Sequence, residues 1–221
     1  MTPTELQQWL NTHGQSVAID GACGPVTRAA IVSAFASKSA PAVNDADIVA
    51  IASRLGCTTK QLRAMAKVES GGSSYDDQGR PKILFERHLF HRLTNGAHSV
   101  TSWSNAKGGG YNEPSWDKLT RAACVDAQAA FAATSWGKFQ VLGLHWRALG
   151  YRSALEMAYS TVTGEAAHYE MLARYIEHNG LAGALRKLST NPADNVALAR
   201  GYNGPSFKKF AYDTKLAAAM A

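Results

Sequence analysis

Thr58-Thr-Lys-Gln-Leu-Arg-Ala-Met-Ala-Lys-Val-Glu-Ser-Gly-Gly72 is the stretch whose reading decides the fold. Thr58, with Gln61 three residues on, has the capping-box form that starts a helix. Leu62, Met65 and Ala66 recur at helical spacing and predict one apolar stripe over Thr58–Val68. Glu69 falls four residues after Met65 and seven after Leu62, so its carboxylate lies on that apolar face. Gly71 and Gly72 are expected to stop the helix. Desolvation and the negative end of the helix dipole both raise the pKa of a carboxyl group so placed. A carboxyl group that stays protonated near neutral pH can serve as a general acid. The competing reading is a glutamate in a fraying last turn that bends out to water.

Composition bounds the rest. The 221 residues are 46% hydrophobic and 18% charged, enough for one good core or for a main domain with a small one. No apolar run reaches membrane-spanning length. The opening Met1-Thr-Pro-Thr-Glu-Leu-Gln-Gln-Trp-Leu10 has neither a basic n-region nor an apolar h-region, which predicts synthesis in the cytosol without a signal peptide. Cys23, Cys57 and Cys124 are an odd set without metal-like spacing, read as reduced thiols. The formal net charge is +6, and residues 1–44 contribute none of it, because Glu5 and Asp20 balance Arg28 and Lys38. A basic body suits an anionic partner or simple solubility.

Patterning divides the chain into residues 1–38, a linker at 39–45 and a larger body at 46–221. The first part is read as a helix over Thr4–His13, the turn Asp20-Gly-Ala-Cys-Gly-Pro25 and a helix over Pro25–Phe35. Ser37-Lys-Ser-Ala-Pro-Ala-Val-Asn44 is small, polar and proline-containing. The body is mostly helical, with expected helices over 45–55, 59–68, 86–93, 115–133, 144–149, 153–160, 164–178, 181–188, 194–199 and 205–220. Tyr75–Glu86 is its one expected β element, a hairpin around the turn Asp77-Gln-Gly-Arg-Pro81. Residues 95–114 read as a long loop, of a kind usually functional or mobile.

Particular residues then become recognisable. Leu6-Gln-Gln-Trp-Leu10, Asp20-Gly21-x-x-Gly24-Pro25-x-Thr27 and Ala30-Ile31 resemble the small three-helix peptidoglycan-binding domain found beside many cell-wall hydrolases. That resemblance implies wall-binding roles for Asp20, Gly21, Gly24 and Thr27. The larger body resembles the phage endolysin N-acetylmuramidase family in three blocks: Val68-Glu-Ser-Gly-Gly72, Gly79-Arg-Pro-Lys-Ile-Leu-Phe-Glu-Arg-His88, and Ser135-Trp-Gly-Lys-Phe-Gln140 with Gly143. The ending Tyr202-Asn-Gly-Pro205 with Tyr212-Asp213 fits as well. The resemblance spans roughly 48–216. It implies a mainly α, lysozyme-like catalytic domain with a small β-hairpin, preceded by the small three-helix domain.

The same resemblance implies Glu69 as the acid that protonates the leaving oxygen of a β-1,4 glycosidic bond between N-acetylmuramic acid and N-acetylglucosamine. Glycoside hydrolases usually add a second carboxylate. Glu86 is the preferred candidate, against the alternative of a charge favoured at a helix N-terminus. Asp76 and Asp77 read as turn chemistry. With a single glutamate, the N-acetyl group or the 6-hydroxyl of the substrate can take part; the second leaves a 1,6-anhydro end, so lytic transglycosylation stays open. Ser135, Trp136, Gln140, Tyr202 and Asn203 are candidate substrate contacts, with core packing the alternative for the two aromatics.

His88 and His91 share a helix face without a third ligand of fixed spacing, and no His-Glu-x-x-His motif occurs. No metal and no cofactor are expected. The expected partner is peptidoglycan, with no nucleic acid, no stable membrane insertion and a monomeric state. The expected setting is the host cytoplasm until holin-mediated release to the periplasmic wall. The rivals are a non-catalytic wall-binding protein, a basic membrane-active protein and, least supported, a nucleic-acid binder.

Overall fold

The computed structural model describes residues 1–37, 39–69 and 73–221. Helices α1 (Pro3–Thr12), α2 (Pro25–Ala34), α3 (Asp45–Leu55) and α4 (Thr59–Glu69) come first. Strand β1 (Ile83–Phe85), α5 (Arg87–Leu93) and the long α6 (Ser115–Ala132) follow, then strands β2 (Thr134–Trp136) and β3 (Val141–Leu142). A 3-10 turn at Gly143–His145 leads to α7 (Ala154–Ser160), α8 (Glu165–His178), α9 (Ala182–Leu185) and α10 (Pro192–Asn203). A second 3-10 turn, Pro205–Phe210, precedes α11 (Tyr212–Met220). The fold is mainly α with one small antiparallel sheet, as expected. The expected helix stop at Gly71-Gly72 lies outside the described residues, as does Lys38 of the expected linker.

The sheet corrects one expectation. Tyr75 and Pro81 form only a single bridge. The hairpin is β2–β3, with Trp136 opposite Val141, and β1 joins it with Ile83 opposite Trp136. Strands this short carry too little alternation to be seen as such. Two expected helices also change. Residues 144–149 give only the 3-10 turn and further turns. The run from Pro205 breaks at Ala211, whose φ of 54° ends one helix and begins the next.

Two compact units form, residues 1–40 with 75–163, and residues 41–74 with 164–221. The first is built on α6, which buries Trp116, Leu119, Ala122, Ala123, Ala130 and Phe131. α1 and α2 pack on α6. Phe35, at the end of α2, is fully buried at the centre of this core. Its ring lies 5.6 Å from Phe131, and 5.5 Å from each of Trp116, Trp136 and Tyr159. Burying a phenylalanine contributes roughly 1.5–3 kcal/mol, and paired rings add to it.

Residues of the N-terminal motif work on their own turn. The buried Gln7 donates to Asp20 Oδ1 at 2.9 Å and accepts from the Gly21 amide at 2.9 Å. Asp20 Oδ1 also accepts from the Ala22 amide, and Thr27 is buried. Cys23 in this turn is disulfide-bonded to Cys124 of α6, with the Cα atoms 5.2 Å apart. The reading of all three thiols as reduced is therefore corrected; only Cys57 is free. The two partners are 101 residues apart in sequence, so no local spacing marks them. Gly143 explains its place in the third sequence block: a Cβ there would sit 2.1 Å from the Phe131 carbonyl oxygen.

The second unit starts α4 as its sequence predicts. Thr58 Oγ1 accepts from the Gln61 amide at 3.2 Å, and Gln61 Oε1 accepts from the Thr58 amide at 2.9 Å. The Gln61 side-chain amide then donates to the carbonyls of Arg186 and Leu188, fixing the entry of α4 to the chain after α9. Leu62, Met65 and Ala66 are buried, and α4 and α10 both pack on α11. Residues 41–44 are tied down: Pro41 accepts from the Glu165 amide at 2.8 Å, and the Val43 amide donates to Glu165 Oε2 at 3.0 Å.

Two stability predictions follow from this packing. Replacing Cys23 and Cys124 by serine is expected to cost up to about 4–5 kcal/mol, the chain-entropy value for a loop of roughly 100 residues, measured by denaturant unfolding with and without reductant. Gly143→Ala is expected to destabilise by about 2 kcal/mol or more through overpacking against backbone, read as a fall in Tm.

Candidate active site

Glu69 ends α4 in the second unit, half-buried, on the side of the helix that carries Leu62 and Met65. Asn203 Nδ2, from the last residue of α10, donates to Glu69 Oε1 at 3.0 Å. Gly204 follows Asn203 with φ of 75°, a left-handed value that glycine adopts at little cost and that turns the chain out of the helix there. Burial raises the Glu69 pKa to about 7, while the Asn203 hydrogen bond and the Lys215 charge act the other way. Burial is thus the dominant cause, as the helix position implies. The competing reading, a carboxylate bending out to water, does not hold.

Three tyrosines complete the surroundings. The ring of Tyr202 meets that of Tyr175 edge-on at 5.3 Å. Burial of the Tyr202 hydroxyl, and next the negative charge of Glu69, hold its pKa well above the usual value. Burial and the same charge raise that of Tyr212. Tyr212 and Lys215 lie one turn apart on α11, so one helix brings both a phenol and a cation into range of Glu69. The family resemblance marks Tyr202, Asn203 and Tyr212 in the sequence but not Lys215. It missed Tyr175 and missed that Asn203 bonds Glu69. The i, i+3 spacing of Tyr212 and Lys215 was the available signal.

The remaining candidates lie in the first unit. Glu86 occupies the N-cap position of α5, but its side chain caps no amide. Its Oε2 accepts from the Tyr111 hydroxyl at 2.9 Å and lies 3.2 Å from His88 Nδ1. Next to it Arg87 donates to the carbonyls of Thr101, Lys107 and Gly108, and the buried Lys118 donates to Gly110. The long loop over 95–114 is therefore latched by two cations. Asp76 is turn chemistry, accepting from the amides of Gln78 and Arg80 and pairing with the Arg80 guanidinium at 2.7 Å. Burial works to raise its pKa, but the Arg80 contacts and the amides outweigh it and hold the carboxyl below its usual value.

Ser135 sits mid-strand in β2, half-buried. Trp136 is corrected as a sugar-stacking candidate: it is 1% exposed, stacked on Phe35 and Phe131, and its indole N–H donates to the Phe131 carbonyl. An apolar ring with its one donor already satisfied belongs to the core. Gln140 is exposed in the hairpin turn, and its amide donates to the carbonyls of Gly137 and Lys82. Asp20, Gly21 and Gly24 lie in the turn that leads into α2, and Thr27 is buried within that helix. Among the described residues no cluster of histidine, cysteine, aspartate and glutamate could hold a metal ion, and no helix is long and apolar enough to cross a membrane.

The pKa of Glu69 has a consequence for stability. Between 4.5, its ordinary value, and about 7 the folded state binds a proton that the unfolded state has lost. Stability therefore falls as pH rises through that window, by up to about 3 kcal/mol. Glu69→Gln is expected to remove this dependence and to be more stable than the wild type at pH 8, read from Tm measured across pH.

A family model for N-acetylmuramidases matches residues 58–221, most of the chain. No curated protein matches in sequence. Among solved structures, the crystal structure of Burkholderia AP3 phage endolysin matches at 29% identity with a TM-score of 0.73, over 98% of this chain and 93% of that one. The protein is similar to that endolysin in its helical, lysozyme-like fold. With Glu69, Tyr202, Asn203 and Tyr212 all inside the matched range, the chain belongs to the N-acetylmuramidase family.

Proposed function

We propose that this protein is an endolysin that cleaves the β-1,4 bond between N-acetylmuramic acid and N-acetylglucosamine of peptidoglycan, with Glu69 as general acid. One observation carries the reading: a half-buried carboxyl group with a pKa near 7, at a helix end, oriented by a single amide. At or below neutral pH it holds the proton that the leaving glycosidic oxygen must receive. As the bond breaks, Glu69 becomes a carboxylate, and the oxocarbenium character at C1 is relieved by an oxygen nucleophile. If water adds, its proton returns to Glu69 and a reducing muramic acid end forms. If the 6-hydroxyl of the same sugar adds instead, its proton goes to the Glu69 carboxylate and the product is a 1,6-anhydro end.

Tyr202 and Asn203 serve Glu69 in this reading, one by excluding water and one by fixing the carboxyl group. In its own unit the groups that act on the Glu69 pKa besides burial are Asn203 and Lys215, which lower it, and no neighbouring carboxylate among the described residues adds to the rise. That favours a single-acid mechanism and keeps the transglycosylase reading as the second one. Glu86 is then a residue that holds Tyr111 and the latched loop. Residues 1–38 supply wall binding, supported by the motif Asp20-Gly21-x-x-Gly24-Pro25-x-Thr27, by Ile19, exposed just before it, and by Val26, exposed within it. The cell-biological setting in this reading is cytoplasmic synthesis and holin-dependent release to the wall.

Mass spectrometry of purified peptidoglycan after digestion tests the proposal. The wild type is expected to yield reducing N-acetylmuramic ends. Glu69→Gln is expected to lose about 10²–10⁴-fold in rate, the usual worth of a general acid, and Glu86→Gln to stay within about tenfold of wild type. Anhydro ends would establish the second reading. No cleavage by the wild type would overturn both.

A further inference from the structure

We propose that the exposed bracket Gly204–Ala211, together with Lys215, is a subsite for the acidic peptide carried by the muramic acid residue next to the scissile bond. This inference rests on the muramidase reading above and names what else of the substrate that site holds. The bracket has both feet on the Glu69 site. It leaves α10 at Asn203, which is bonded to Glu69, and returns at Tyr212, whose phenol responds to the Glu69 charge. Between them stand Lys208, Lys209 and Phe210, all exposed.

The charges are unevenly spent. Lys208 is paired with the buried Asp213. Lys209 and Lys215 are exposed and have no carboxylate partner among the described residues. The Lys209 ammonium lies 5.9 Å from the Phe210 ring centroid, and Phe210 is itself 54% exposed, with Tyr212 edge-on at 6.4 Å. The Lys215 ammonium lies 5.4 Å from the Tyr212 ring centroid and also acts on Glu69, so of the two only Lys209 borders Phe210. An exposed aromatic ring bordered by an unpaired ammonium group contributes little to folding. It suits a ligand that offers carboxylates on an aliphatic stem.

The substrate has such a part. Muramic acid carries a lactyl-linked peptide on O3, two ring carbons from the C1 at which the glycosidic bond breaks. That peptide bears free carboxylates. An acid that reaches the glycosidic oxygen therefore has the peptide within a few ångströms, and a cationic, partly apolar ledge beside it would hold that peptide more tightly than a bare glycan.

The test compares peptide-bearing peptidoglycan with the same material stripped of its peptides by an amidase, which leaves one lactyl carboxylate on each muramic acid and removes the carboxylates further along the peptide, at low ionic strength and pH 5, below the Glu69 pKa. The readout is the ratio of kcat/KM on the two substrates. The wild type is expected to prefer the peptide-bearing form. The double variant Lys209→Gln with Lys215→Gln is expected to lower that ratio by about fivefold, mainly through KM, whereas Lys209→Arg keeps it. About 0.5 M salt is expected to lower the wild-type ratio in the same way. An unchanged ratio in the double variant would overturn the subsite. An unchanged ratio together with lost binding to anionic phospholipid vesicles would overturn it in favour of a lipid-binding ledge. Failure of the wild type to cleave either substrate would overturn the muramidase reading itself, and this inference with it.

Discussion

Keeping one carboxyl group out of water is the constraint that the second unit meets at a cost to its own stability. Glu69 is retained in an apolar setting that favours its protonated form. The surroundings oppose that effect only in part, with one amide hydrogen bond and one lysine charge. Stronger compensation, such as a bidentate arginine, would lower the pKa and leave an ordinary ion pair. The capping box at Thr58 and Gln61 and the packing of α4 on α11 hold the helix end firm enough for the group to keep this state. A position that destabilises the fold above neutral pH fits the general-acid role proposed for Glu69.

The first unit depends on a different interaction, the seating of Phe35 among Trp116, Phe131, Trp136 and Tyr159. Two of these rings come from α6, one from the hairpin and one from α7. The disulfide between Cys23 and Cys124 fastens the preceding turn to the same helix. The ring cluster acts through burial and the disulfide through the entropy of the unfolded chain, so their effects reinforce each other without sharing an interaction.

How much of this was legible in the sequence can be argued residue by residue. The helix over 59–69 and its cap were legible because capping and periodicity are local, and both agree there. The elevated Glu69 carboxyl was legible for the same reason, since its position relative to Leu62 and Met65 follows from helix geometry alone. Trp136 was not, because nothing local separates a stacked core ring from one that faces a sugar; the difference is made by Phe35, a hundred residues away. The disulfide was hidden by the same kind of distance. The β2–β3 hairpin escaped because its strands are shorter than the period needed to detect them. The Glu69–Asn203 bond spans 134 residues and was approached only through family resemblance, which marked Asn203 without giving its partner.

The placement of Phe35 bears on how such chains recombine. The family match begins at residue 58, but the folding unit that contains Phe35 takes in residues 1–40 together with 75–163. A border drawn by sequence similarity therefore runs through the chain at a point that is not a border of the folded molecule. Exchange of the N-terminal segment between genes would carry off the central ring of a core and one half of a covalent cross-link. The first forty residues are packed on α6 and cross-linked to it, so a chain that received a different N-terminal segment would need a different inner face on that helix as well.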